Sequence, residues 1–140
     1  MAFTGNWSCD SFKTGLMNGT FNFTSGTFYM ALYTNAATLN ASTSAYTATG
    51  EVVASGYTAG GLALTIAQTP TVGNGSVAYI SFNNAVWNSA LTARGALIYQ
   101  SGGGNPAVCV LDFGADKTST TTFTVQFPAV TNTSAIIRIA

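Results

Sequence analysis

Short runs of alternating side chains, cut apart by glycine- and asparagine-rich turns, constrain this chain more than any other feature. Residues 27–33 (TFYMALY) set Phe28, Met30 and Leu32 against Tyr29, Ala31 and Tyr33. A period of two belongs to a strand, and apolar side chains in both rows predict a strand covered on both faces. Residues 51–55 and 62–67 read as two short strands around the glycines of 56–61, with Leu62, Leu64 and Ile66 as an inward row. Asn74-Gly75, a strong hairpin signal, precedes the strand-like run 76–82. Residues 83–91 read as a loop carrying Trp87. The run 122–127 turns Phe123, Val125 and Phe127 inward, and 134–139 closes the chain as a last strand.

The clearest hairpin joins 92–99 to 107–113 through the glycine-rich turn 101–106. A turn centred on Gly103 sets Ala96 opposite Val110, Ile98 opposite Val108 and Arg94 opposite Asp112. The expectation is a part-buried Arg94–Asp112 ion pair that fixes register more than it stabilises. A one-residue slip of the pairing would separate the two.

Residues 35–50, rich in Thr, Ala and Ser, have no period and one large anchor, Tyr46. The stretch is a candidate contact arm or a weak edge strand. Within residues 1–20 a short helix is expected to lid one end of the β core. Ser8 suits its N-cap, Asp10 its first turn, Phe12 and Leu16 share a face, and Gly19 ends it, with Trp7 stapling back onto the first turn. Together these runs predict an all-β fold, a single domain over 1–140. It is a β-sandwich or jelly-roll-like barrel of about seven or eight strands with a short N-terminal helix.

Composition narrows the chemistry. Only 6% of residues are charged, against roughly 25% in typical soluble domains. Four acids and four bases give a formal net charge of zero, so no basic stripe exists to hold a nucleic-acid backbone. No run approaches the ~18 apolar residues of a membrane span, and the start of the sequence does not read as a signal peptide. The chain has no histidine, which removes the usual general base near neutral pH. Asp112 and Asp116 flank a turn rather than a cleft and make a poor catalytic pair. Cys9 and Cys109 are too few to hold zinc. A disulfide between them stays open, although buried thiols suit a protein made in the cytoplasm better. No catalytic residue, metal ligand or cofactor is expected.

Aromatic residues make up 12% of the chain. Trp7, Tyr46, Tyr57 and Trp87 fall in loops or at element ends, where rings act as core, as interface anchors or as sugar-stacking platforms, in that order of preference.

The sequence resembles small structural proteins of tailed bacteriophages. The resemblance rests on Ser11-Phe12-Lys13, the 28–33 strand, Gly56-Tyr57-Thr58-Ala59-Gly60-Gly61 and Ala93-Arg94-Gly95-Ala96-Leu97-Ile98-Tyr99. It continues through Leu111-Asp112-Phe113-Gly114 to the Ile137-Arg138-Ile139-Ala140 end. It spans nearly the whole chain but carries no functional motif. It implies a non-enzymatic β-rich virion component, assembled in the bacterial host cytoplasm. The leading form is a capsid decoration, or cement, protein: a homo-oligomer, with a trimer favoured, seated on the major capsid protein. The alternative is a tail or fibre-associated module that contacts host surface glycans through its aromatic rings.

Overall fold

In a computed structural model that describes residues 3–140, the longest alternating runs form one antiparallel hairpin. Strand β7 (Thr92–Gln100) pairs with β8 (Ala107–Thr118). On its other edge β7 takes β2 (Phe28–Tyr33), with Met30 opposite Ile98 and Leu32 opposite Ala96. Phe28, Met30, Ala31, Leu32 and Tyr33 are all buried, as expected for a strand apolar on both faces. The two-residue strands β1 (Trp7–Ser8) and β3 (Leu62–Ala63) extend this sheet, in the order β1-β8-β7-β2-β3.

A second sheet has the order β10-β5-β4, from β4 (Ile66–Val72), β5 (Ala78–Phe82) and β10 (Ile137–Ile139). The β4–β5 hairpin turns at Asn74–Ser76, where Gly75 takes φ 73°, so the Asn-Gly signal marks a real turn. Pro70 interrupts the β4 ladder, which is tolerable because β4 is an edge strand. A separate ribbon pairs β6 (Ala85–Trp87) with β9 (Phe123–Val125).

Phenylalanines join the layers. Phe28 of the first sheet lies 5.8 Å from Phe82 of the second, and Phe82 lies 5.8 Å from Phe127. Phe23 stacks on Phe28 at 4.5 Å, and Phe12 meets Phe21 edge-on at 5.2 Å. The fold is thus all-β and sandwich-like, with one helix and ten strands among the described residues. That exceeds the expected seven or eight because several pairings are only two or three residues long.

Several expectations are corrected. Ser8 does not cap the helix α1 (Asp10–Asn18). It lies in β1 opposite Cys109, and Cys9 takes the capping position with no side-chain bond. Trp7, in the same strand, is therefore not a staple. The inner face of α1 is Phe12 with Gly15, while Leu16 is half-exposed. Gly19 ends the helix at φ 80°, as expected. Met1 and Ala2 of the expected lid lie outside the described residues.

Residues 51–55 form a single bridge, Glu51 to Tyr33, in place of a strand. The run 62–67 splits, because the chain crosses from the first sheet to the second between Ala63 and Ile66. Residues 83–91 contain β6 instead of a plain loop. The 35–50 stretch has a second anchor besides Tyr46, since Leu39 is 2% exposed. It also makes one strand-like bridge, Ala45 to Pro106.

Candidate functional site

Glu51 is the chain's one buried acid among the described residues, 8% exposed, and it organises a polar node. Tyr46 donates its hydroxyl to Oε2 at 2.7 Å, and Tyr57 donates to Oε1 at 2.7 Å. The Gly60 backbone N–H donates to Oε1 at 2.8 Å. The Tyr57 oxygen in turn accepts the Leu32 N–H at 2.9 Å, and Tyr99 donates to the Gly60 carbonyl at 2.6 Å. Tyr33 donates to the Thr47 carbonyl at 2.7 Å. The node ties residues 45–61, which have almost no ladder of their own, to β2 and β7.

Burial, reinforced by the Glu51 carboxylate, pushes the Tyr46 hydroxyl up to about 12. The same causes push Tyr57 higher still, and burial first and Glu51 second raise Tyr33 and Tyr99. These hydroxyls stay protonated donors at physiological pH. Oε1 accepts two fold-internal donors and Oε2 one, so the carboxylate spends three of its roughly four acceptor sites on holding structure. The expected short strand at 51–55 gave Glu51 no role. Its signal was a lone acid flanked by Tyr46 and Tyr57 in an otherwise uncharged stretch.

The four aromatic candidates divide. Trp87 is 4% exposed, so its placement in a loop is corrected. It sits in β6 opposite Phe123 of β9 and stacks near Tyr57 at 6.3 Å. Tyr46 and Tyr57 are half-buried with their hydroxyls spent on Glu51. Trp7 alone among the four is exposed, at 39%.

Arg94 and Asp112 do form an ion pair, Nη2 to Oδ1 at 3.0 Å, with side chains 13% and 12% exposed. The expected register, however, is off by one: Ala96 faces Leu111, Ile98 faces Cys109, and Asp112 faces Gly95. The pair survives the slip because β8 bulges. Ala93 pairs with Lys117 and Gly95 with Asp112, so 113–116 of β8 stand against Arg94 alone. Gly114 supplies the left-handed residue that this excursion needs, at φ 81°, and its N–H donates to Asp112 Oδ1 at 2.8 Å.

Cys9 and Cys109 are both free and buried. Burial is the main reason that the Cys9 thiol is pushed up to about 11 and Cys109 to about 12. Because Ser8 faces Cys109, alternation turns Cys9 to the opposite side of the β1–β8 ladder. Among the described residues no three His, Cys, Asp or Glu side chains gather around a potential metal position.

The surface offers shallow grooves instead. One of about 320 Å³ runs over the second sheet, lined by Leu16, Phe21, Phe23, Pro70, Ile137 and Ile139 among others, with no charged residue. Two of its rim residues are substantially exposed, Ile139 at 53% and Leu16 at 36%. A second groove, of about 470 Å³, lies beside β9 and includes Phe113, Lys117 and Gln126. No family model matches the chain, and no curated protein or solved structure matches it either.

Proposed function

We propose that this chain is a structural protein of a tailed-bacteriophage particle. Its role is capsid decoration, stabilising the shell through contacts repeated by symmetry. The observation that carries the reading is where the polar chemistry sits. The Glu51 carboxylate and the Arg94–Asp112 pair are consumed inside the fold, while an uncharged apolar groove faces outward. Such a surface suits docking, and many weak identical contacts sum to high avidity on a symmetric shell. The resemblance of the sequence to phage structural proteins points the same way. The partners are other copies of this chain, with a trimer favoured, and the major capsid protein.

The tail-module alternative keeps only one of its four rings, Trp7, in the open. Glycan stacking needs open ring faces, whereas Trp87 is buried and Tyr46 and Tyr57 hold Glu51. Electron cryomicroscopy of the parent particle, locating and counting this chain, tests the proposal. Copy numbers comparable to the main shell protein are expected. A few copies confined to the tail would overturn it, as would light scattering showing a monomer with no affinity for shells.

A further inference from the structure

The chain contains two Asn-Gly dipeptides, Asn18-Gly19 and Asn74-Gly75. Asparagine is a thermolabile residue. It is most labile before glycine, where no side chain shields the following backbone nitrogen from the carboxamide carbon. The fold treats the two sites differently.

At the end of α1 the Gly19 N–H is bonded to the Gly15 carbonyl. The Asn18 Oδ1 accepts the Thr20 N–H at 3.1 Å and the Thr20 hydroxyl as well. Attack by the Gly19 nitrogen on Asn18 Cγ would have to break the first bond, and turning the carboxamide towards it would break the others. Asn74 lies exposed at the tip of the β4–β5 hairpin. Its backbone carbonyl accepts the Asn132 Nδ2 at 2.8 Å, which anchors the main chain. Its own carboxamide has no hydrogen-bond partner among the described residues, and the space on the Gly75 side is open to at least 4 Å.

We infer that Asn74 is a self-modification site: the Gly75 backbone nitrogen converts its carboxamide to a carboxylate, while Asn18 is spared. The Gly75 nitrogen loses its proton and bonds to Asn74 Cγ. The Cγ–Nδ2 bond breaks, and Nδ2 leaves as ammonia with the proton returned to it. Water then opens the resulting succinimide at one carbonyl or the other, giving aspartate or isoaspartate with no change of oxidation state. The conversion adds a fifth acid to a chain with four and takes its formal net charge from zero to minus one. The isoaspartate branch also inserts a methylene into the main chain of the turn that Asn132 holds. Particles would thus acquire charge, copy by copy, at one hairpin tip on a nearly uncharged surface.

The test incubates the full-length protein at mildly alkaline pH, folded and in urea, and maps the amide-to-acid mass gain by peptide. Enzymatic methylation reports isoaspartate. In the folded protein conversion at Asn74 should outpace Asn18 by about tenfold or more, the factor that one or two ordinary hydrogen bonds supply. In urea the two rates should converge. Asn74→Gln, at an exposed turn position, should abolish the fast folded-state conversion while circular dichroism stays unchanged. Equal rates in the folded protein, a faster Asn18, a ratio that urea does not alter, or no conversion at either site would overturn the inference.

Discussion

Arg94 reaches Asp112 diagonally across the β7–β8 ladder: Asp112 faces Gly95, yet the Arg94 Nε and Nη2 both lie 3.0 Å from its Oδ1. The carboxylate also holds the Gly114 N–H, so it clamps the bulge as well as the cation. Both side chains are mostly shielded, and removal of one partner strands the other. Arg94→Met or Asp112→Leu should each lower stability by roughly 1–3 kcal/mol, less than the ~3–5 kcal/mol of a fully buried pair. The double variant Arg94→Met/Asp112→Leu should recover much of that loss, read as a double-mutant cycle in urea. Single variants that unfold at the unaltered midpoint would show that the pair contributes nothing.

Glu51 should matter more than any other charged residue. Glu51→Ala leaves the hydroxyls of Tyr46 and Tyr57 and the Gly60 N–H without their acceptor. An orphaned buried donor costs about 1–3 kcal/mol. With partial rescue by water, the expected loss is roughly 2–4 kcal/mol. Limited proteolysis should then cut within 45–61, the segment that the node ties down, before it cuts β7 or β8. A variant as protease-resistant as the parent would argue against this role.

The same node sets the alkaline limit of the fold. Tyr46 titrates near 10 when unfolded and at about 12 in the native state. Tyr33, Tyr57 and Tyr99 are shifted in the same direction. Above pH 10 the unfolded chain therefore releases protons that the native state retains, and stability falls as pH rises. Below pH 10 both states are protonated at these groups and their contribution is fully present. Ultraviolet tyrosine titration should show a component delayed beyond pH 10 that merges with alkaline unfolding. Simple titration of every tyrosine near 10, with the fold intact, would contradict it.

The two thiols should be silent in the native protein. With Cys9 held at about 11 and Cys109 at about 12, the thiolate fraction at neutral pH is negligible. Both side chains are also shielded from reagent. Aromatic disulfide reagents should label neither cysteine until urea unfolds the chain, and then both. Oxidants should not join Cys9 to Cys109 within one folded molecule, because they face opposite sides of the ladder. Rapid native labelling, or an intramolecular disulfide in the folded monomer, would refute the placement.

What the sequence revealed follows from how far each signal reaches. The 28–33 and 92–99 strands and the Asn74-Gly75 turn are local patterns of period and turn chemistry, and they stand where expected. The β6–β9 ribbon joins segments with no local mark of each other, so Trp87 read as a loop residue although Phe123 covers it. Ser8 looks like a cap until its pairing with Cys109 is known. In the β7–β8 hairpin the turn does centre on Gly103, with Tyr99 opposite Ala107 and the Gln100 N–H donating to the Pro106 carbonyl, and the register slips by one only beyond it. The slip is an irregularity between Ile98 and Tyr99, where Val108 is the extra residue on β8, and nothing in the local sequence marks it. The Arg94–Asp112 pair was legible as a coincidence of rare charges, but the bulge that permits it was not.

If the chain decorates a capsid, its attachment should barely respond to salt. Exposed charge pairs are screened within about 8–10 Å at physiological ionic strength. Here only eight charged residues exist, and Glu51, Arg94 and Asp112 are already committed within the fold. Occupancy on stripped shells should therefore change by less than about twofold between low and physiological-plus salt, whereas an electrostatic attachment would fall steeply. Ile139→Asp, at a half-exposed rim position of the uncharged groove, should preserve folding. It should lower occupancy at least about tenfold, since burying an unpaired carboxylate in an apolar contact is costly. Steep salt dependence combined with full occupancy of Ile139→Asp would mean that the shell contact, if there is one, is made elsewhere and by charge.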